Sequence, residues 1–363
     1  MDLTNWIGCG PDNFLIISGP CGAETREQVL NTARQIAEIG KVQVFRAGVW
    51  KPRTRPGGFE GMGVPALQWL KEVKDRTGLK VMVEVATQIH VEQCLESGVD
   101  MLWIGARTTS NPFSVQEIAW ALKGVDIPVL VKNPLNPDLN LWVGAIERIH
   151  KAGIKKIAAV HRGFFPFEKT RFRNNPGWEI AIELKSMFHE LPVICDPSHM
   201  SGDAAWIGEL SQKALDLNMN GLMIECHFDP VHALCDAKQQ VTPKQLGEIL
   251  DHLKYRVENS DDPQFQDILR DVRNEIDDID TRLLELLSRR AKLSEKIGIE
   301  KFKKNISVLQ LKRWEKMQKN RLELAKKLGL PDDFVMNLFQ LVHKESIALQ
   351  TRIMAQLRWG YKS

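Results

Sequence analysis

Eight short, almost wholly apolar runs recur between residues 14 and 256, each followed by a longer amphipathic stretch, and this alternation restricts the fold more than any other feature. The runs are FLIISGPC from Phe14, VFRAG from Val44, VMVEV from Val81, MLWIGA from Met101, VLVKN from Val129, KIAAV from Lys156, VICDP from Val193 and GLMIE from Gly221. Strands that are apolar on both faces belong in a parallel sheet covered on both sides. The stretches between them, such as Glu27 to Ile39, Ala66 to Lys74, Trp142 to Ala152 and Gly208 to Leu217, carry helical periodicity. Gly40, Gly78, Gly98 and Gly153 stand where helix C-terminal caps are expected. Eight such units in roughly 250 residues match the size of an α/β (β/α)₈ TIM barrel. A doubly wound open sheet is the rival, but it does not normally need eight strands in one domain.

The period then changes. RVENSDDPQFQ, Arg256 to Gln266, is polar and contains a proline, which reads as a linker. Beyond it the pattern is helical only. Ile276, Ile279, Leu283, Leu286, Leu287 and Leu293 line one face of a long helix over Ile268 to Lys304. A second helix is expected over Val308 to Leu328, and a third, capped by Asp332 or Asp333 after the Gly329–Leu330–Pro331 turn, runs to about Leu357. The division is a barrel over 1–256, a linker over 257–266 and a small all-α three-helix domain over 267–363. The first helix is too long to bury its apolar stripe against two short partners, so an intertwined homo-oligomer, at least a dimer, is expected.

With 363 residues, 43% of them hydrophobic and 26% charged, the chain has enough apolar material for two packed domains. A net charge of +3 argues against a general nucleic-acid or membrane-surface binder. No apolar run reaches the roughly 18 residues of a transmembrane helix. MDLTNWIGCGPDN lacks the regions of a signal peptide, so a cytoplasmic enzyme is expected. Cys9, Cys21, Cys94, Cys195, Cys226 and Cys235 form no CxxC pair and are expected as reduced thiols.

In a barrel of this kind the active site lies at the C-terminal ends of the strands. Polar residues stand there in every unit: Cys21, then Arg46 and Lys51, Glu84, Arg107, Lys132, His161 and Arg162, Asp196 and His199, Glu225 and His227. Arg46, Lys51, Arg53, Arg107, Lys132 and Arg162 make a cationic set. Any one of them alone is best read as the partner of a local carboxylate, but six on successive strand ends ask for an anion carrying phosphate and carboxylate. Cys21, His199, Glu225 and Asp236 offer a thiolate, an imidazole and two carboxylates, a donor set suited to one divalent ion such as Mn, Fe, Co or Zn. Singly they have plainer readings: a core thiol, a loop histidine, a salt-bridge partner and a helix cap.

GPCGAE at Gly19 to Glu24, KPRT at Lys51 to Thr54, GARTTSN at Gly105 to Asn111, DPSH at Asp196 to His199, GLMIECH at Gly221 to His227 and ALCDAKQQ at Ala233 to Gln240 occur in this order. Together they resemble the 3-deoxy-D-arabino-heptulosonate 7-phosphate (DAHP) synthases, in the short branch related to 3-deoxy-D-manno-octulosonate 8-phosphate (KDO8P) synthase. That resemblance implies metal ligation by Cys21, His199, Glu225 and Asp236. It implies that Arg46, Lys51, Arg107, Lys132 and Arg162 hold phosphoenolpyruvate, and that Arg53 and Thr54 grip erythrose 4-phosphate. KPRT, where the sister synthase has a KANRS-type sequence, favours the four-carbon sugar over arabinose 5-phosphate. Cys21 favours the metal-dependent form. Lys51 and Lys132 are the barrel's expected catalytic residues, with Glu84 and His227 as candidates for activating water.

The tail carries no nucleophile–base pair, donor cluster or glycine-rich loop, and its residues alone suggest a solvated basic face on a dimerisation bundle. LRDVRNEIDDIDTRLLELLSRRAKLSEKIGIEK and LFQLVHKESIALQ nevertheless resemble the first and last helices of the all-helical chorismate mutases. By that resemblance Arg273, from the other chain, and Arg290 bind the carboxylates of chorismate, Lys301 and Gln350 flank the breaking ether bond, and Arg313 and Ser346 complete the pocket. Gln310 and Trp314 depart from the acidic residues common in that family. The fold, activities and small-molecule substrates therefore point to a bifunctional enzyme of aromatic biosynthesis. With the first strand beginning by residue 14, no N-terminal regulatory domain is expected, and inhibition of the synthase by prephenate or chorismate is expected to act through the tail. Two readings compete: a tail that serves mainly as sensor or oligomerisation module, and a barrel that is a KDO8P synthase.

Overall fold

The computed structural model describes residues 14–51, 57–166, 170–256 and 260–360, which divide into two compact units, 1–258 and 259–363. In the first, eight parallel strands close into a barrel in sequence order, β8 pairing with β1 from Leu15↔Gly221 to Gly19↔Glu225. In chain order the elements are β1 (Leu15–Gly19), α1 (Arg26–Glu38), β2 (Val44–Ala47), α2 (Val64–Thr77), β3 (Lys80–Val85), α3 (Gln88–Glu96), β4 (Met101–Ile104), α4 (Ala106–Thr109), α5 (Pro112–Ala121) and β5 (Val129–Lys132). They continue with α6 (Leu139–Lys151), β6 (Ile157–His161), α7 (Trp178–Met187), β7 (Val193–Cys195), α8 (Pro197–Ser201), α9 (Ile207–Asp216), β8 (Gly221–Glu225) and α10 (Pro243–His252). Each of the eight apolar runs is a strand, so the barrel expectation holds and the open sheet does not.

Side chains on a strand alternate between two faces, and here the faces belong to two separate cores. Leu15, Ile17, Val44, Met82, Met101, Trp103, Leu130, Ala158, Val160, Ile194 and Met223 fill the barrel's interior. Their neighbours one residue away, such as Ile16, Phe45, Val83, Leu102, Val131, Ala159, Val193 and Ile224, pack against the surrounding helices. The interior parity continues upward through Arg46, Glu84, Lys132, Arg162, Asp196 and Glu225, so those side chains leave the strands toward the axis. His161 has the opposite parity. Its ring stands among Trp142, Phe164 and Trp178, at centroid distances of 6.2, 5.7 and 5.3 Å. The expectation that every polar strand end converges on one mouth therefore fails at His161, which belongs to the helix-facing layer.

The second unit consists of α11 (Pro263–Lys303), α12 (Leu311–Leu328) and α13 (Asp332–Trp359). Two boundaries differ from the sequence reading for one physical reason, the double use of proline. Pro263 does not extend the linker. It opens α11 as the first helical residue, where no N–H is needed, while the Asp262 side chain accepts from the N–H groups of Gln264 and Phe265. At α13, Pro331 occupies the N-cap position, and Asp332 and Asp333 lie in the first turn, where their charges face the positive end of the helix dipole. Cys21, Cys94, Cys195, Cys226 and Cys235 are buried and form no disulfide, and Cys9 lies outside the described residues. No helix among the described residues is long and apolar enough to cross a membrane.

Burial pushes the pKa of His161 down to about 3. Above pH ~6.5 the imidazole is neutral in both folded and unfolded chains, whereas between ~3 and ~6.5 only the unfolded chain takes up the proton, so stability falls as pH drops. The barrel's unfolding free energy should therefore lose about 2 kcal/mol from this group between pH 7 and pH 5. Urea titrations of wild type and His161→Phe at both pH values check this, and equal pH slopes for the two proteins would contradict it.

Candidate functional site

The barrel's top is built from charges standing on an indole. Arg46 lies with its guanidinium 4.7 Å from the Trp103 ring centroid, and the Lys132 ammonium is 5.8 Å from the same ring. Arg46 Nη2 is 3.2 Å from Glu225 Oε1, and both residues are buried. Lys132 Nζ donates to Asp196 Oδ2 at 2.7 Å. Burial alone would raise the Asp196 pKa, but His199 and Lys132 outweigh it and hold the carboxyl well below the usual range. Glu225 is also held low, burial being overcome by His199 and Arg46. Arg46 Nε and Nη1 remain buried without a hydrogen-bond partner among the described residues.

Above this layer lies a cavity lined by Lys51, Glu84, Arg107, Lys132, Arg162, Arg173, His199 and Asp236, among others. Of the expected cationic set, Lys51, Arg107, Lys132 and Arg162 thus meet at one place, and Arg46 lies beneath them. Arg53 and Thr54 fall outside the described residues. Lys51 Nζ donates to the Cys21 carbonyl at 2.9 Å. Burial lowers the Arg162 pKa to about 10, while Asp196 acts against that shift. Glu84 reaches the cavity because residue 105 is glycine: a Cβ there would stand 2.0 Å from Glu84 Oε1. His227 is not among the lining residues. Its ring stacks on Phe228, and its Nε2 is 3.8 Å from Glu24 Oε2. A larger groove of about 830 Å³ lies among residues of α9, α10 and the stretch after α10, including Gln212, Gln245, Glu248 and Lys254, and gathers no comparable set of cations.

The four expected donors also come together. Ligand atoms of Cys21, Glu225 and Asp236 all lie within 4.8 Å of one another. His199 stands at the edge of this group, with Nε2 3.7 Å from Glu225 Oε1. Its other nitrogen, Nδ1, lies 2.8 Å from Asp196 Oδ2 without hydrogen-bond geometry, on the side of the ring away from Glu225. Glu225 Oε1 is buried and, although ion-paired with Arg46, accepts no hydrogen bond from the described residues, which leaves lone-pair capacity that a cation would satisfy. The Cys21 thiol is pushed far up by its contact with Cys235, by burial and by the Glu225 charge. Asp236 is lowered to about 2, burial being overcome by His199, Arg173 and Lys51, and its backbone is left-handed at φ 49. A carboxylate held in that conformation fits a functional constraint. The residues present fit a divalent ion.

In the helical unit, Arg290 donates to Ser346 Oγ and to the Val342 carbonyl, and Lys301 Nζ to the Val308 carbonyl. Gln350 is buried, packs its backbone and side chain against Gly298, and has Oε1 without a partner among the described residues. Arg273 is exposed on α11, 17 residues before Arg290, so about 25 Å separate them along the helix. Two further residues join this cluster. Arg321 lies with its guanidinium 4.0 Å from the Phe339 ring centroid, and His343 stacks on Trp314 at 3.9 Å. Burial and the charges of Arg290 and Arg313 lower the Arg321 pKa; burial and the charges of Arg290, Arg321 and Lys301 lower that of His343. Sequence reading passed over both because neither stands in the matched helix motifs as a site position. A helical spacing of four and eight from Met317 and Arg313 to Arg321 was the available signal.

The chain matches two family models, the DAHP synthetase I family over residues 2–259 and chorismate mutase type II over residues 272–351. It is 33% identical over 248 residues to a phospho-2-dehydro-3-deoxyheptonate aldolase of Thermotoga maritima, covering 68% of this chain and 71% of that protein. A 2-dehydro-3-deoxyphosphooctonate aldolase of Magnetococcus marinus is 29% identical over 259 residues, covering 66% and 86%. A crystal structure of a Thermotoga maritima phospho-2-dehydro-3-deoxyheptonate aldolase superposes with a TM-score of 0.59 at 32% identity, over 66% of this chain and 67% of that one.

Asp196→Asn would leave Lys132 buried beside a neutral amide and remove the charge facing His199. Loss of one partner from a buried pair costs about 3–5 kcal/mol. The barrel's urea transition should shift by that amount at pH 7, and a shift below about 1 kcal/mol would show that solvent compensates the lysine.

Proposed function

Since this chain belongs to the DAHP synthetase I family and carries a type II chorismate mutase domain, it is a bifunctional enzyme of aromatic amino acid biosynthesis, and we propose how its residues divide the work. The barrel condenses phosphoenolpyruvate with erythrose 4-phosphate to DAHP and phosphate, and the helical domain rearranges chorismate to prephenate. The observation that carries the residue assignment is the gathering of Lys51, Arg107, Lys132 and Arg162 around one cavity beside the Cys21, Glu225 and Asp236 donors.

Phosphoenolpyruvate brings a phosphate and a carboxylate, and the four cations with Arg46 below supply the positive field that both require. Cys21, His199, Glu225 and Asp236 would hold one divalent ion, Mn, Fe, Co or Zn. That ion would supply Lewis acidity toward the aldehyde of erythrose 4-phosphate. The residues then hold C3 of phosphoenolpyruvate against the aldehyde carbon, so that the new C–C bond forms while cationic character develops at C2. Water captures C2, and C–O cleavage releases phosphate into the cationic pocket. Of the two candidates for taking the proton of that water, Glu84 is favoured by its lining the cavity over His227, whose Nε2 is 3.8 Å from Glu24 Oε2. Arg53 and Thr54 are assigned to the phosphate of erythrose 4-phosphate by their KPRT position.

The mutase reaction needs no acid, base or nucleophile, only a compressed conformer and fixed positive charge near the breaking ether bond. Arg290, Arg313 and Arg321 supply charge for the carboxylates, while Lys301 and Gln350 take the ether oxygen and Ser346 positions Arg290. Arg273 stands too far along α11 to join them within one chain, and Ile276, Ile279, Leu283, Leu286 and Leu293 on the same helix are exposed. Both features support a homodimer in which Arg273 crosses to the partner's pocket. The same domain, binding intermediates made later in the pathway, is assigned feedback control over the barrel.

Three measurements test this reading. Erythrose 4-phosphate should support turnover and arabinose 5-phosphate should not. Exhaustive chelation should abolish condensation and leave chorismate turnover intact, and condensation that survives complete metal removal would refute the donor assignment. Saturating prephenate should slow the synthase at least severalfold, and unchanged rates would remove the feedback role.

A further inference from the structure

Arg173 and Asn174 belong neither to the cationic set nor to the donor set, yet together they touch both. Asn174 is buried. Its Oδ1 accepts from Arg162 Nη1 at 2.8 Å, and its Nδ2 donates to the His199 carbonyl at 2.6 Å. Arg173 Nη1 donates to Asp236 Oδ1 at 3.1 Å and to Gln239 Oε1 at 2.7 Å. Gln239, buried in turn, donates from Nε2 to Glu225 Oε2 at 2.7 Å. One dipeptide thus reaches three of the four donors, directly or through one amide, and also an arginine of the anion pocket.

The backbone is built to hold this pair still. The N–H groups of Arg173 and Asn174 donate to the carbonyls of Ser201 and Met200 at 3.0 Å, which ties them to the short helix that carries His199. Next to them, Asn175 and Phe164 exchange two hydrogen bonds of 2.8 Å, which ties the same segment to the loop after Arg162. Two glycines with positive φ make room. A Cβ on Gly202 would stand 2.5 Å from Arg173 Cβ, and one on Gly163 would stand 3.0 Å from Asn174 Cβ.

We propose that Arg173 and Asn174 form a brace that couples the metal-donor set to the phosphoenolpyruvate pocket, with Asn174 positioning Arg162 and His199 and Arg173 positioning Asp236 and, through Gln239, Glu225. The brace rests on the site assignment above. Outer-shell partners of this kind govern metal affinity by about 10–100-fold. Because one side chain is shared by both pockets, occupancy of one changes the affinity of the other, and linkage makes the effect reciprocal.

The test uses the full-length protein, with Mn²⁺ titrated by calorimetry in the absence and presence of phosphoenolpyruvate, alongside kcat and KM for the synthase and the chorismate turnover of the same samples. Asn174→Ala should weaken Mn²⁺ binding about tenfold, raise KM for phosphoenolpyruvate, and move the factor by which phosphoenolpyruvate changes Mn²⁺ affinity toward one. Asn174→Asp keeps the acceptor for Arg162 and loses the donor to His199, so it should weaken Mn²⁺ more than phosphoenolpyruvate. Arg173→Gln should weaken Mn²⁺ binding through Asp236 and Gln239 and, because Arg173 also lines the anion cavity, raise KM for phosphoenolpyruvate by a smaller factor, and Arg173→Lys should recover part of both losses. Chorismate turnover should stay unchanged throughout. Should Asn174→Ala abolish the barrel's melting transition, the other three variants carry the same comparison. Mn²⁺ affinity and coupling within twofold of wild type in Asn174→Asp and Arg173→Gln would overturn the brace alone. A wild-type protein that takes up no Mn²⁺ would overturn the metal assignment and the brace with it.

Discussion

The barrel depends on ionised groups that are removed from water and still face one another. Arg46 with Glu225 and Lys132 with Asp196 are buried pairs from next-but-one strands of the barrel, and both cations lie near Trp103. Taking such charges out of water costs several kcal/mol per ion, and mutual attraction offsets this only where the geometry is good and the remaining hydrogen-bonding capacity is met. Here it is not fully met. Among the described residues Arg46 Nε and Nη1 donate no hydrogen bond, and Glu225 Oε1 accepts none although it is ion-paired with Arg46. The barrel's stability therefore rests on ion pairs whose remaining hydrogen-bonding capacity is not met by the described residues.

That constraint explains what could be read from the sequence. A parallel strand buried on both faces must be apolar, so a charge at its end stands out, and the two-residue period then says which charges point inward. Arg46, Glu84, Lys132 and Glu225 each follow an interior residue of the same strand by two positions, and each faces the axis. His161 breaks the inference because it too ends a strand, but its parity places it among Trp142, Phe164 and Trp178, where it is held as a neutral ring. Position along the chain was legible there, while facing required the register. The helix boundaries at Pro263 and Pro331 were misread for a related reason. A proline forbids a backbone donor, and that property suits a helix start as well as a linker.

Arg173, Asn174 and Gln239 could not be found in this way. They lie after the sixth and eighth strands in segments without a period, and their significance comes from partners 12 to 66 residues away in the chain. Loop residues are placed by tertiary hydrogen bonds, which leave no local pattern beyond the glycines that allow close approach. Gly163 and Gly202 were such a trace, but a glycine in a loop has many readings, and it is the close approach of Asn174 to one and Arg173 to the other that gives them meaning.

The two domains meet the same electrostatic problem with different periodicities. The barrel gathers cations from many strand ends, one or two from each, and sets a donor group among them so that charge can move during bond formation. The helical domain takes its cations from two helices, α11 and α12, and Arg290, Arg313, Arg321 and Lys301 act on one another or on His343 of α13 within one cluster. Like charges held together weaken a folded domain unless a counter-anion offsets them, and a substrate with two carboxylates is such an anion. Trp314 stacked on His343 adds an apolar, neutral wall where an acidic residue would have consumed part of that positive field. The departure at position 314 thus sets an aromatic ring, not a carboxylate, beside His343 and the charges of Arg290, Arg321 and Lys301 that act on it.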